Sequence, residues 1–141
     1  MNKIFKNMFF LLVCSGLVVT ACAGCGASVD LNGTSWKLVS YGPVEKQIQA
    51  AAGIQTNLNF GTDGMVNGNM GCNSFGGNFE LKNGKLVFSQ MISTLMACQD
   101  PQMAQEQAAL KVMNGTVSFK AEGNTLTIYD ASGANTITLS K

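Results

Sequence analysis

The sequence predicts a mainly β protein: a small antiparallel barrel-like sheet of about eight short strands, with one α-helix, residues 100–114, packed on it. Three observations predict this. Apolar and polar residues alternate in short runs, the period of a half-buried strand. Gly and Asn turn pairs separate those runs at close spacing, which favours antiparallel hairpins. One longer run of helix formers is bracketed by Asp100-Pro101 and Asn114-Gly115, a start and a stop signal for a helix. Short antiparallel strands in that number favour a closed or nearly closed barrel, because closure removes exposed edges.

The first strand is Ser35 to Ser40, where Trp36, Leu38 and Ser40 alternate with Ser35, Lys37 and Val39. The tryptophan therefore reads as a core anchor rather than a ligand platform. Gly42 to Gly53 contains Pro43 and an Ala-rich patch, enough for a helical turn but too short and poorly capped to fix one. Gln55 to Phe60 resumes alternation, Gly61-Thr62-Asp63-Gly64 turns the chain, and Met65 to Asn69 returns antiparallel. The next stretch, Gly68 to Gly77, holds four glycines around Cys72. Glycine and asparagine tolerate positive φ, so this composition reads as a bulged turn between strands.

Gly77 to Leu81 is the following strand, with Phe79 and Leu81 inward. Asn83-Gly84 is the best hairpin dipeptide in the chain and turns it into Leu86 to Phe88, which runs on to Met91 to Thr94. Asp100 caps the helix and Pro101 takes its first position. Met103, Glu106 or Gln107, Leu110 and Met113 make the face expected on the sheet. Thr116 to Lys120, Asn124 to Tyr129 and Asn135 to Leu139 complete the strands. Trp36, Phe60, Phe79, Phe88, Phe119 and the aliphatic residues supply the core.

The beginning of the chain reads as export machinery rather than fold. Lys3 and Lys6 precede a nearly unbroken apolar run, Met8 to Val19, and Val19-Thr20-Ala21-Cys22 then places small residues before a cysteine. That is the pattern of a secretory signal. The cysteine at the cut makes it resemble a bacterial lipoprotein signal, with Cys22 lipidated. Cys25 is a poorer site because no aliphatic residue stands three positions before it. The expected organisation is a signal at 1–21, a flexible lipid-to-domain linker at 22–30 and one domain at 31–141. The expected location is the cell envelope. Ala23 after the cysteine offers no acidic residue to favour inner-membrane retention, so the outer membrane is the expected destination, with the lipid on Cys22 as the membrane contact.

Composition excludes several function classes. There is no arginine, and the lysines are scattered. Phosphate and nucleic-acid recognition rest on clustered Arg and Lys, so no nucleic-acid partner is expected. There is no histidine either, which removes the commonest general base and metal ligand. No metal, cofactor or catalytic residue is expected. Ser74 has no recognisable base partner, and Asp63 and Asp130 sit in turns, where local hydrogen bonding is their ordinary work. With Cys14 in the signal and Cys22 and Cys25 in the linker, only Cys72 and Cys98 lie inside the domain. In an oxidising envelope a disulfide is the favoured reading, worth about 3.5 kcal/mol by chain entropy. A redox pair is the alternative, but the spacing is not Cys-x-x-Cys.

The motifs in order form a familiar set. They are Gly-Thr-x-Trp at 33–36, Phe-x-x-Asp-Gly at 60–64, Gly-x-x-Gly-Cys-Asn-x-Phe-x-Gly at 68–77 and Ser-Thr-x-Met-Ala-Cys at 93–98. A helix bearing Met103 and Glu106 follows. Together they resemble the META domain family of HslJ-like bacterial lipoproteins and envelope proteins, over about residues 30–140. The resemblance implies a small barrel-like sheet with a helix, and an association with heat-shock or stress responses. It attaches no catalytic mechanism. It marks Gly68, Gly71, Asn73, Phe75, Gly77 and Glu106 as motif residues. Asn73 reads as bonding the backbone of its own turn, and Glu106 as an acceptor for the glycine-rich turn. The function expected is that of a non-enzymatic envelope protein acting on an unidentified envelope protein partner. A small-ligand carrier using a barrel cavity, or an inhibitor of an envelope hydrolase presenting Tyr41 to Gln47, are the alternatives.

Overall fold

In the computed structural model, residues 29–141 are described. The expected signal peptide, the lipidation site Cys22 and most of the linker lie outside them. The strands are β1 (Thr34–Pro43), β2 (Ile48–Gln49), β3 (Asn57–Phe60), β4 (Met65–Asn69), β5 (Ser74–Lys82), β6 (Lys85–Ser93), β7 (Gly115–Glu122), β8 (Thr125–Tyr129) and β9 (Asn135–Ser140). The helix α1 (Gln102–Val112) lies between β6 and β7. Neighbouring strands pair antiparallel in the order β1-β3-β4-β5-β6-β7-β8-β9, and β9 pairs back onto β1 to close the barrel. β2 is a supplement. β3 covers β1 only from Thr34 to Trp36, and β2 takes over the same edge at Ser40 and Tyr41.

The alternation seen in the sequence fills the lumen. Trp36, Leu58, Phe60, Leu86, Ile128 and Leu139 are among the buried side chains, and Phe60 meets Phe79 edge to face with centroids 4.8 Å apart. Trp36 Nε1 donates to Thr34 Oγ1 at 2.7 Å, so the core anchor also satisfies its polar atom. Asn83 and Gly84, with φ of 52° and 71°, form the expected hairpin turn. Two inward expectations fail at the rim. Leu81 is exposed and Phe119 half-buried, because β4 pairs with β5 only as far as Asn78 and β6 pairs with β7 only as far as Val117. Gly42 to Gly53 makes no helix; it holds β2.

The registers put Pro43 beside Asn135, Tyr129 beside Thr136, Phe88 beside Gly115, and Asn69 beside both Ser74 and Asn57. These pairs mark one mouth of the barrel, and α1 lies across it, packed on β1 and β9. Thr34, at the start of β1, sits at the other mouth. The helix is shorter than expected. Pro101 is its N-cap rather than its first residue, although Asp100 Oδ1 does accept the Ala104 N–H at 3.1 Å. Its buried face is also rotated from the expected one: Gln105, Glu106, Ala109, Val112 and Met113 are buried, while Met103 and Leu110 are half-buried and Gln107 is exposed. A buried glutamine amide explains the shift, since apolar spacing cannot flag a polar residue at the centre of the face.

Asp63 and Asp130 do the local work expected of them. Asp63 Oδ1 accepts the Met65 N–H at 3.1 Å. In the β8–β9 turn, Asp130 accepts the Ser132 hydroxyl at 2.7 Å, the Asn135 side-chain N–H at 2.7 Å and the Ala134 N–H at 3.0 Å. Partial desolvation pushes its carboxyl up, but these hydrogen bonds outweigh it and hold the carboxyl at about 2.

Two outcomes follow from this packing. Met113→Ala should destabilise by about 2–5 kcal/mol in urea melts, and Leu110→Ala by distinctly less, because only Met113 is fully enclosed. For Asp130 the folded-state pKa lies below the unfolded value of roughly 3.9, so its stabilisation is complete above that pH and fades as pH falls toward 2. Asp130→Asn should lower the neutral plateau of a stability-versus-pH curve and flatten its acid limb between roughly pH 4 and pH 2.

Candidate functional site

The motif residues converge at the helix-covered mouth. β4 ends at Asn69, and residues 70–73 turn the chain into β5. Asn69 braces this turn from within: its Oδ1 accepts the Gly71 N–H at 2.8 Å and its Nδ2 donates to Cys72 O at 3.1 Å. Glu106 grips the turn from the helix. Its Oε2 accepts the Cys72 N–H at 2.8 Å and, in a shorter contact, the Asn73 N–H. Its Oε1 accepts Asn73 Nδ2 at 2.7 Å. Glu106, Cys72 and Asn73 are all buried. A carboxylate is well suited here, since it offers only acceptors to three converging N–H donors.

Asn73 does not bond its own turn, as expected from the sequence. Its amide reaches sideways to the segment between β6 and α1. Oδ1 accepts the Thr94 hydroxyl at 2.8 Å and the Met96 N–H at 2.7 Å, and Nδ2 donates to Met96 O at 3.2 Å. Cys72 and Cys98 are bonded across the same gap, with Cα atoms 6.0 Å apart. Covalent and hydrogen-bonded links therefore join the same two segments.

The glycines serve a different purpose from the one composition suggested. Gly68, Gly71 and Gly77 are not among the positive-φ residues. They are sites of close approach. A Cβ on Gly71 would overlap Gln102 O of the helix, and one on Gly68 would overlap Asn57 O and press on the Phe75 ring at 3.0 Å. At Gly77 it would meet Ser89 O at 2.9 Å, beside the bulge between β5 and β6. Phe75 is buried beneath the turn. Ser74 is exposed, and its carbonyl accepts the Thr94 N–H at 3.0 Å.

Sequence reasoning missed Gln105. It is fully buried, donates Nε2 to Met70 O at 2.7 Å and accepts the Ala51 N–H on Oε1 at 2.7 Å, tying the helix to two loops at once. The signal available was its spacing, four and seven residues before Ala109 and Val112 on one helical face. The buried polar side chains at this mouth, Asn73, Gln105 and Glu106, are thus spent on structure. Among the described residues no group of three His, Cys, Asp or Glu side chains stands close enough to hold a metal. Tyr41 is buried in β1 rather than raised on a loop, and Gln47 folds back to bond Ser40, Gly42 and Pro43, so Tyr41 to Gln47 is not an insertable loop.

Glu106→Gln tests the carboxylate. Its NH₂ would face the NH₂ of Asn73, which cannot turn over without losing its bonds to Thr94 and Met96. Chemical denaturation should show a loss of about 1–3 kcal/mol. A double-mutant cycle with Asn73→Ala should show coupling, because both substitutions break the same contact.

The model of the META domain matches residues 29–141. Among solved structures, the chain is similar to the NMR structure of a protein from Burkholderia xenovorans, at 24% identity and a TM-score of 0.65, over 78% of this chain and 82% of that one. It is also similar to the crystal structure of a DUF4847 family protein from Bacteroides vulgatus ATCC 8482, at 10% identity and a TM-score of 0.56, over 78% of this chain and 93% of that one. No curated protein matches at a significant level. The structural likenesses are likenesses of fold alone. The family match spans every described residue, from the barrel's first strand to its last, and on it the chain belongs to the META domain family.

Proposed function

We propose that the chain is a lipid-anchored cell-envelope protein that acts through protein contacts, without catalysis, in a stress response or in envelope maintenance. The observation that carries the non-catalytic part is the commitment of Glu106. This buried carboxylate at the motif face spends both oxygens on holding the 70–73 turn and Asn73. The packed lumen favours contact over carriage, since Trp36 and the phenylalanines Phe60 and Phe88 occupy the space a ligand would need. The clefts that remain are surface features, such as one of about 320 Å³ between Tyr41, Ile48, Ala108 and Asn135.

The anchor rests on Val19-Thr20-Ala21-Cys22 after the apolar run, and the outer membrane on the absence of an acidic residue at Ala23. The geometry suits such a tether. Residues 29–33 lead into β1 at the mouth opposite α1, so a lipid upstream would be joined to the barrel at the end away from the helix.

Fractionation of a deletion strain carrying either wild type or Cys22→Ser tests the reading. Wild type should sediment with the outer membrane and restore survival under heat or envelope stress. The serine variant should lose both. Release of wild type into the soluble fraction would overturn the anchor, and full rescue by a soluble variant would overturn the need for it.

A further inference from the structure

We infer that residues 93–98 form a substrate-like loop that inhibits a serine endopeptidase with an apolar specificity pocket, Leu95 being the side chain inserted. This rests on the reading that the chain acts through protein contacts, and it names the contact. Leu95 is 96% exposed and Met96 57%, with Ile92 beside them at 75%. Single apolar side chains on a surface are ordinary. What sets these apart is that the backbone carrying them is fixed.

The anchors fall at alternate residues. The Thr94 N–H donates to Ser74 O at 3.0 Å. Met96 is held on both main-chain groups by one side chain, its N–H donating to Asn73 Oδ1 at 2.7 Å and its carbonyl accepting from Asn73 Nδ2 at 3.2 Å. Cys98 is bonded to Cys72. Main-chain anchors at 94 and 96, two residues apart, describe an extended stretch over 94–96 with one edge toward the barrel. In an extended segment the N–H and C=O of the intervening residue face the opposite edge, so those of Leu95 are directed to solvent.

An endopeptidase holds its substrate as an extended strand through main-chain hydrogen bonds and reads alternate side chains in pockets, the general mode of strand addition. A loop already fixed in that form loses little conformational entropy on binding. The loop's own chemistry excludes inhibition by chelation of a catalytic metal and leaves insertion of a side chain. Ser93, Thr94, Leu95, Met96 and Ala97 carry no carboxylate, imidazole or amine to ligate a catalytic metal, and the Cys98 sulfur is committed to the disulfide. A large apolar side chain at the tip matches a hydrophobic slot and not a pocket built for a cation.

The test titrates the full chain, purified in detergent, into α-chymotrypsin, subtilisin and trypsin, each assayed with a chromogenic peptide. Chymotrypsin or subtilisin should lose activity at about one-to-one stoichiometry while trypsin stays active. Leu95→Gly should weaken inhibition by about 30-fold or more. Leu95→Lys should transfer it to trypsin. The Leu95 side chain is almost wholly in solvent, so both variants should melt as wild type does and the result reads binding rather than folding. A wild-type chain that leaves chymotrypsin and subtilisin active, whether it is cleaved or stays intact, overturns the inference. So does a Leu95→Lys variant that leaves trypsin uninhibited. Fractionation and survival under stress read the anchor and the proposed role separately, so loss of this inference and loss of that reading are told apart.

Discussion

The helix-covered mouth depends on one carboxylate. Glu106 is the point at which three pieces of chain that are distant in sequence meet: the 70–73 turn, the helix, and, through Asn73, the segment after β6. None of these can be dried on its own. The turn has backbone N–H groups that no strand accepts, and Asn73 has an amide that must be satisfied on all sides once buried. Glu106 supplies acceptors where only donors converge. Burying this many polar groups is unfavourable unless every one is matched, and among the described residues no buried side-chain polar atom is left without a partner.

The disulfide and the hydrogen bonds at this mouth play different parts. The Cys72–Cys98 bridge limits how far the two segments separate in the unfolded chain. It does not fix their register to a fraction of an ångström; Asn73 does, by matching both main-chain groups of Met96. Gly71 lets the turn reach the helix closely enough for Glu106 to span the gap, since a methyl group there would strike Gln102 O.

The barrel was legible in the sequence because its determinants are local. Alternation of Trp36, Leu38 and Ser40 against Lys37 and Val39 needs no knowledge of what packs where, and Asn83-Gly84 demands positive φ wherever it occurs. What the sequence hid is set by distant partners. β2 exists because β3 stops short of Ser40 and leaves an edge of β1 to be paired. Leu81 is exposed because β4 does not extend as far as the hairpin that carries it. The helix face differs from the one the apolar spacing predicts because Gln105 is buried for its hydrogen bonds to Met70 and Ala51 rather than for its hydropathy. Gly68, Gly71 and Gly77, which composition marks as conformational devices, are points of contact, a distinction that only the neighbouring atoms can make. Glu106 is legible because a lone carboxylate on a helix beside a glycine-rich turn has one obvious use.

Asn73 grips Met96 by main-chain atoms and leaves the side chain next to it untouched. Stability at this mouth is therefore indifferent to the identity of residue 95. A lineage carrying this barrel can exchange that single residue, from apolar to charged or from large to small, and keep the fold, the bridge and the buried carboxylate as they are. Architecture and surface chemistry are written in different residues, so the surface can diverge at a rate the interior does not limit.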